Sequence, residues 1–306
     1  MYRRVLTLLV LVTLLCPAAQ AQSPSPPPPP GTLGFVWLQR PMNPLAPSAR
    51  GLVGWWRVLR GWAGGQTWYA LTGLAHGTLT NMTTAGTSGW GGTTRPGGTG
   101  EVRFGGTDDY VTTNNTTLAN FTTQDFSVMF WIKPTSLGVN ETMIYTGTFH
   151  VEGWEIQHNG GGNGAGQLTF LSNQAGTTQE IETVTGLLSV GAWSCVVFTR
   201  AGSVGTFYHN GLPVSYLLQQ SLSNPLSSTK ALQFGRDQTD GLYIAAAMDD
   251  IRIYNRAVPA SEAAGLCRDS AQGDPVLLTR VFPNNIAPTP PAIRGRFFQW
   301  FGPVQR

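Results

Sequence analysis

Three sets of residues have the types and spacing that chemistry requires. Glu180-Ile-Glu-Thr-Val184 carries two carboxylates at alternating positions, so on a strand Glu180 and Glu182 project from one face. Two carboxylates about 5–5.5 Å apart can serve as nucleophile and general acid on a glycosidic bond. The alternative is a pair of solvated acids on an outer strand face, where glutamate usually resides. Glu152-Gly-Trp-Glu155 has the wrong parity for its two acids to share a face. Asp249 shares strand parity with Ile251 and Ile253, and Asp109 with Val111. If the isoleucines face a core, Asp249 does too, and a buried carboxylate needs N–H donors, a cation or a metal. The plainer role for both aspartates is to accept backbone N–H bonds in tight turns. Cys195 and Cys267 allow a single intramolecular bridge in an oxidising compartment, or stand as two buried thiols.

Other chemistries lack their motifs. His76, His150, His158 and His209 show no paired metal spacing, and no Gly-x-Ser-x-Gly elbow occurs. The chain therefore reads as a non-enzyme. Trp90, Trp154 and Tyr208 can either stack on sugar rings or fill a core. His158-Asn159 beside Gly160-Gly-Gly162 is a pliable polar cluster. Sequons at Asn81, Asn114, Asn115, Asn120 and Asn140 matter only in a glycosylating host.

The elements that must position these residues are strands. Only 11% of the 306 residues are charged, while Gly (38) and Trp (10) are abundant, which excludes a disordered chain and a long-helix protein. Residues 1–21 read as a signal peptide, with Arg3 and Arg4 before an apolar stretch and Ala19-Gln20-Ala21 at the cleavage site. That apolar stretch is too short to span a bilayer, so no membrane span is expected. Residues 22–48 form a Pro-rich linker. From residue 49 to 267 short apolar runs alternate with turn residues, and this body has eleven basic against fourteen acidic residues. Nothing there marks a nucleic-acid binder. In Phe126-Ser-Val-Met-Phe-Trp-Ile-Lys133 both faces carry bulk, as for a sandwich strand whose second face binds or is covered. Further strands are expected near 101–105, 109–113, 142–146, 153–158, 167–172, 180–185, 193–200, 204–209, 230–236 and 242–254. Asn210-Gly211 is a hairpin signal, and Pro259 to Gly265 is the one short helical candidate. The architecture expected is all-β, a two-sheet antiparallel sandwich.

Gly51-Leu-Val-Gly-Trp-Trp56, His76-Gly-Thr-Leu79 and Phe104-Gly-Gly-Thr-Asp-Asp-Tyr-Val111 stand in an order that continues through Trp193, Tyr208-His-Asn-Gly211 and Met248-Asp-Asp-Ile-Arg-Ile-Tyr-Asn-Arg256. Together they resemble laminin-G-like jelly rolls of the concanavalin A-like lectin/glucanase superfamily, over residues 49–267. The resemblance implies a jelly roll, and a structural or ligand-bridging Ca²⁺ for which Asp109 and Asp249 are the candidate ligands. It also implies a further acid two residues beyond Glu182, where this chain has Val184. Ala70 and Ala246-Ala247 are further departures from the family pattern. The function expected is a secreted, non-catalytic recognition or adhesion module that binds a glycan or an extracellular protein surface. The alternatives are a structural component of a phage tail or cell envelope, and an unrecognised glycan hydrolase.

Residues 268–306 form a tail rich in Pro, Arg and aromatics. Four of the five residues from Phe297 to Phe301 are aromatic and follow Arg294 and Arg296. Such a cluster is costly in water and suits docking on the sandwich or self-association. Deleting residues 292–306 is expected to lower the melting temperature or change the oligomeric state, which thermal melts and sedimentation will read.

Overall fold

A computed structural model describes residues 47–272, apart from 60–64, 84–86, 93–94, 139, 159–163 and 240. The signal peptide, nearly all of the Pro-rich linker, the Asn159–Gly162 loop and all but residues 268–272 of the C-terminal tail lie outside the described residues.

The chain alternates apolar and polar residues at period two, and it folds accordingly into two antiparallel sheets. The back sheet runs β14 (Leu212–Pro213), β13 (Val204–His209), β12 (Ser194–Ala201), β7 (Phe126–Pro134), β17 (Ala245–Tyr254), β5 (Glu101–Gly105) and β4 (Gly89–Gly91), with β1 (Leu52–Trp56) also paired to β17. The front sheet runs β15 (Tyr216–Gln219), β11 (Thr177–Thr183), β10 (Leu168–Gln174), β9 (Glu152–His158) and β8 (Glu141–Thr148). It continues through β16 (Gln233–Phe234), β6 (Tyr110–Thr112), β3 (Gly77–Thr80) and β2 (Thr67–Trp68). This is the jelly-roll sandwich expected. Asn210 and Gly211 both take positive φ, 51° and 83°, and turn the chain between β13 and β14.

The core between the sheets is aromatic. Phe126, Val128, Phe130 and Ile132 of β7 all face it. Phe170 stacks on Phe198 at 4.0 Å between centroids, and Phe126 meets Trp154 at 5.0 Å. Trp154, a candidate sugar platform in the sequence, is instead fully buried here and donates its indole N–H to Ala119 O. A ring that large gains more from leaving water than from waiting in it for a ligand.

The other face of β7 is also covered. Met129 and Trp131 lie under helix α1 (Ala260–Ala271), whose buried residues Ala263, Leu266, Cys267 and Ser270 recur at helical spacing. Tyr208, a second stacking candidate, belongs to this layer and is closed off by it. The helix runs six residues past the Gly265 at which the sequence pattern stops. Tertiary packing carries it on, because Trp131 Nε1 donates to Ser270 Oγ at 2.8 Å and Arg95 Nη1 to Ser270 O at 3.1 Å. Arg256 pairs with Glu262 in the first turn, and Arg268 lies in the last, as the helix dipole favours. The Cys195–Cys267 disulfide bonds the helix to β12. Among the described residues no helix is long and apolar enough to cross a membrane.

The bridge closes a separation of 72 residues, so chain entropy alone assigns it about 4 kcal/mol. A Cys195→Ser, Cys267→Ser double variant is expected to lose stability of that order in urea titrations. The loss should be accompanied by increased dye binding to the apolar layer under the helix.

Candidate functional site

The front sheet's outer face carries the polar residues that the core excludes. Cross-strand register lines them into rungs. One rung passes from Gln233 of β16 through Tyr145 of β8, Glu155 of β9 and Leu171 of β10 to Glu180 of β11. The next passes from Thr142 through Gln157 and Thr169 to Glu182. The residues between them in sequence, Ile144, Ile156, Phe170 and Ile181, all lie in the core, which fixes the rungs on the opposite face.

Glu155 is fully buried on this face and is held from both sides. Gln157 Nε2 donates to its Oε2 at 3.0 Å, and Asn173 Nδ2 to its Oε1 at 3.4 Å. Asn173 is oriented in turn, because its Oδ1 accepts from Thr178 Oγ1 at 2.8 Å and from His150 N at 3.2 Å. Tyr145 OH bonds to Gly147 O and to Thr239 Oγ1, and burial holds the phenol well above its usual range. Glu180 and Glu182 face the same way, as their alternation predicts. Burial raises the Glu180 pKa, and the charge of Glu182 and a side-chain hydrogen bond to it push it further up. This face therefore gathers carboxylate, amide, hydroxyl and phenol groups around the aliphatic side chain of Leu171, all buried but the partly exposed Glu180.

Sequence reasoning missed Glu155, Tyr145, Gln157, Thr169 and Asn173. Strand parity separates Glu155 from Glu152, which turns away and accepts from Thr229 N and Oγ1. Apart from Gln157 on its own strand, the neighbours of Glu155 are one and two strands off. The alternation of Trp154 and Ile156 with Glu155 and Gln157 was the available signal that these two polar residues face outward.

The other candidates have separate roles. Each histidine has its own partner: Ala70 N for His76, Thr178 for His150, Glu141 for His158 and Ser194 for His209. Trp90 packs half-buried on the core and donates to Gly65 O. Asn81, Asn114 and Asn140 sit at positive φ and serve as turn residues.

Asp109 accepts Gly105 N at 2.6 Å, and a Cβ at Gly105 would fall 2.5 Å from the same oxygen. Asp249 is buried, but not beside the isoleucines. Asp250 takes a left-handed φ of 55° in a bulge that shifts the register of β17 between Asp249 and Arg252. Asp249 therefore pairs opposite Trp131 and sits on the helix side of the sheet, while Ile251 and Ile253 keep the core. Its Oδ1 accepts Val58 N at 2.7 Å and its Oδ2 accepts Arg95 Nε at 2.8 Å. Asp250 accepts Trp55 Nε1 at 2.6 Å and both Nε and Nη2 of Arg252 at 2.9 Å.

This donor set does not fit the Ca²⁺ that the family resemblance implies. Arg95 already supplies the cation at Asp249. Gly105, which Asp109 caps, pairs with Ala245, four residues or about 13 Å along β17 from Asp249. Among the described residues no group of three or more His, Cys, Asp or Glu is placed to hold a metal.

The family described as the concanavalin A-like lectin/glucanases superfamily matches residues 104–264, just over half of the chain. Among curated proteins no sequence matches significantly. Similar solved structures include the binding domain of paraclostridial mosquitocidal protein 1, at 19% identity and TM-score 0.53, covering 71% of this chain and 52% of that one. Domain 4 of AbnA, a GH43 extracellular arabinanase from Geobacillus stearothermophilus in complex with arabinotriose, shows 16% identity and TM-score 0.54, covering 71% and 98%. The binding domain of botulinum neurotoxin serotype G shows 13% identity and TM-score 0.51, covering 71% and 50%. The chain thus spans about half the length of the two toxin domains and nearly all of the arabinanase domain. Likeness at these identities establishes the fold.

The buried charges have a solution signature. Burial alone would raise the Asp250 pKa, but Arg252, Arg57 and Arg95 override it and hold it below 3.8. Stability from a depressed carboxylate is present above its unfolded pKa and is lost as pH falls through the folded value. Asp249 runs the other way, because burial and the charge of Asp250 outweigh Arg95 and raise it. Asp250→Asn is expected to cost about 3–5 kcal/mol near neutrality by leaving Arg252 short of a counter-charge. Its melting temperature should then fall less steeply than wild type below about pH 4.

Proposed function

Because this chain belongs to the concanavalin A-like lectin/glucanases superfamily, a fold used by binders and hydrolases alike, we propose that it is a secreted, non-catalytic module that recognises carbohydrate on the outer face of its front sheet. The observation that carries this reading is the pair of polar rungs around Leu171. Hydroxyl edges of a sugar match carboxylate, amide and phenol groups, and its C–H face matches an aliphatic floor. The oriented Glu155 is the preorganised element, because a fixed acceptor loses little entropy on binding. The arabinanase domain solved with arabinotriose is an instance of the same fold taking an oligosaccharide. The leader sequence and the Cys195–Cys267 bridge support an extracytoplasmic location.

Val184 stands where the family's further acid would be, and Glu180 and Glu182 hydrogen-bond to each other on one strand. That geometry supports binding more than acids flanking a scissile bond. A hydrolase is the second reading, favoured by the raised pKa of Glu180, which suits a general acid. Reducing-sugar release from β-glucans, abolished by Glu180→Gln, would establish it instead.

The full chain is expected to be retained by at least one polysaccharide class in affinity electrophoresis and on a glycan array. Gln157→Ala, which removes one of the two amides that hold Glu155, should weaken that retention about tenfold with the fold intact by circular dichroism. No glycan bound, alongside clear binding to a protein partner, would reassign the face to protein recognition.

A further inference from the structure

The outer face of the front sheet is acidic in a particular way. Glu155 and Glu180 both stand in register with Leu171, one strand to either side, which separates them by about 10 Å. Glu182 lies two residues along β11, about 7 Å from Glu180. The residues of the two rungs include three carboxylates and neither lysine nor arginine. These acids belong to no group able to converge on one metal ion among the described residues. Their spacing suits positive charge distributed along an extended ligand.

A second observation is independent of the acids. Thr169 is fully buried between Gln157 and Glu182, and its Oγ1 has no hydrogen-bond partner. A buried hydroxyl left unpaired costs free energy that a ligand hydroxyl or amine would recover. Register directs it to the ligand side, since Leu168 and Phe170 on either side of it enter the core. Leu171, 4% exposed, lies outside that core and forms the apolar floor between Glu155 and Glu180.

We infer that this face selects a cationic glycan, one whose sugars bear free amino groups, over a neutral one. The inference rests on the carbohydrate reading above and supplies its ligand class. The rings would lie on Leu171, separate ammonium groups would sit by Glu155 and by the Glu180 and Glu182 pair, and a hydroxyl or amine would complete Thr169. Burial first, and then the charge of Glu182, hold the Glu180 carboxyl above its usual range, and an ammonium there offsets the second of these. His150, in the loop between β8 and β9, acts to lower the Glu180 pKa, and it lies beside Thr178 at the edge of the acidic patch.

The test is calorimetric titration of the full chain with a glucosamine tetramer and with its fully N-acetylated counterpart, at low and high salt. The amine form is expected to bind at least about tenfold tighter, with the advantage shrinking as salt screens it. A Glu180→Gln, Glu182→Gln double variant should lose the preference and keep its fold. Thr169→Val, which is nearly isosteric, should weaken binding several-fold while the melting temperature holds or rises, a combination that a purely structural threonine would not produce. Equal affinity for the two tetramers would overturn the inference and leave carbohydrate recognition standing. An oligolysine of matched charge binding as tightly as the amino sugar would overturn it in favour of a basic peptide. Silence toward both tetramers and toward every glycan on an array would overturn the inference together with the carbohydrate reading.

Discussion

Asp249 and Asp250 carry two carboxylates into a region closed to water, and Arg95 and Arg252 meet them there. An unpaired charge at that depth is prohibitive, so the partners must arrive together. Their arrival ties four parts of the chain. Trp55 comes from β1 and Val58 from just beyond it, Arg95 comes from the loop before β5, and Arg252 from β17 itself. Arg95 also reaches Ser270 O, and so the network extends to the helix. Neutralisation of these charges thereby sets how β1, the Arg95 loop and α1 pack on the back sheet.

With both faces of the back sheet occupied, the division of labour between the sheets follows. One face of β7 belongs to the aromatic core and the other to the helix layer, so among the described residues this strand has no face left for a ligand. The front sheet has only one face in the core. Its outer face holds Glu155, Gln157, Thr169, Glu180 and Glu182, of which Glu180 alone is partly exposed and the others are buried. Burial of Trp154, Ile156 and Phe170 on the inner side fixes the outer side's register, since a slip of one residue would invert both. The proposed binding face is thus positioned by the core beneath it.

The polar face is also stiff where it matters. Glu155 is gripped by two amides, and one of them, Asn173, is itself gripped by Thr178 and the His150 backbone. Such second-layer bonding holds an acceptor in place before a ligand arrives. Thr169 contrasts with it, as a buried hydroxyl without a partner in the middle of an otherwise bonded row.

Much of this was legible from local pattern. Period-two alternation marked β7, β9, β12 and β13 within a residue or two, and Asn210-Gly211 marked its turn because both residues tolerate positive φ. The shared face of Glu180 and Glu182 followed from strand parity alone. The short strands β2, β3, β4 and β15 escaped, since two to four residues carry too little alternation to read. What local pattern could not supply was anything that depends on which strand lies beside which. Glu155 joins Glu180 only through β10, and that adjacency is set by non-local pairing. Asp249 turned from the isoleucines to the helix side because one extra residue, Asp250, inserts a bulge where the charge network needs it. Parity is a property of an unbroken strand, and therefore the sequence by itself determines faces only between bulges. Where two strands meet, and where a strand breaks step, is decided by the packing and charge pairing of the whole chain.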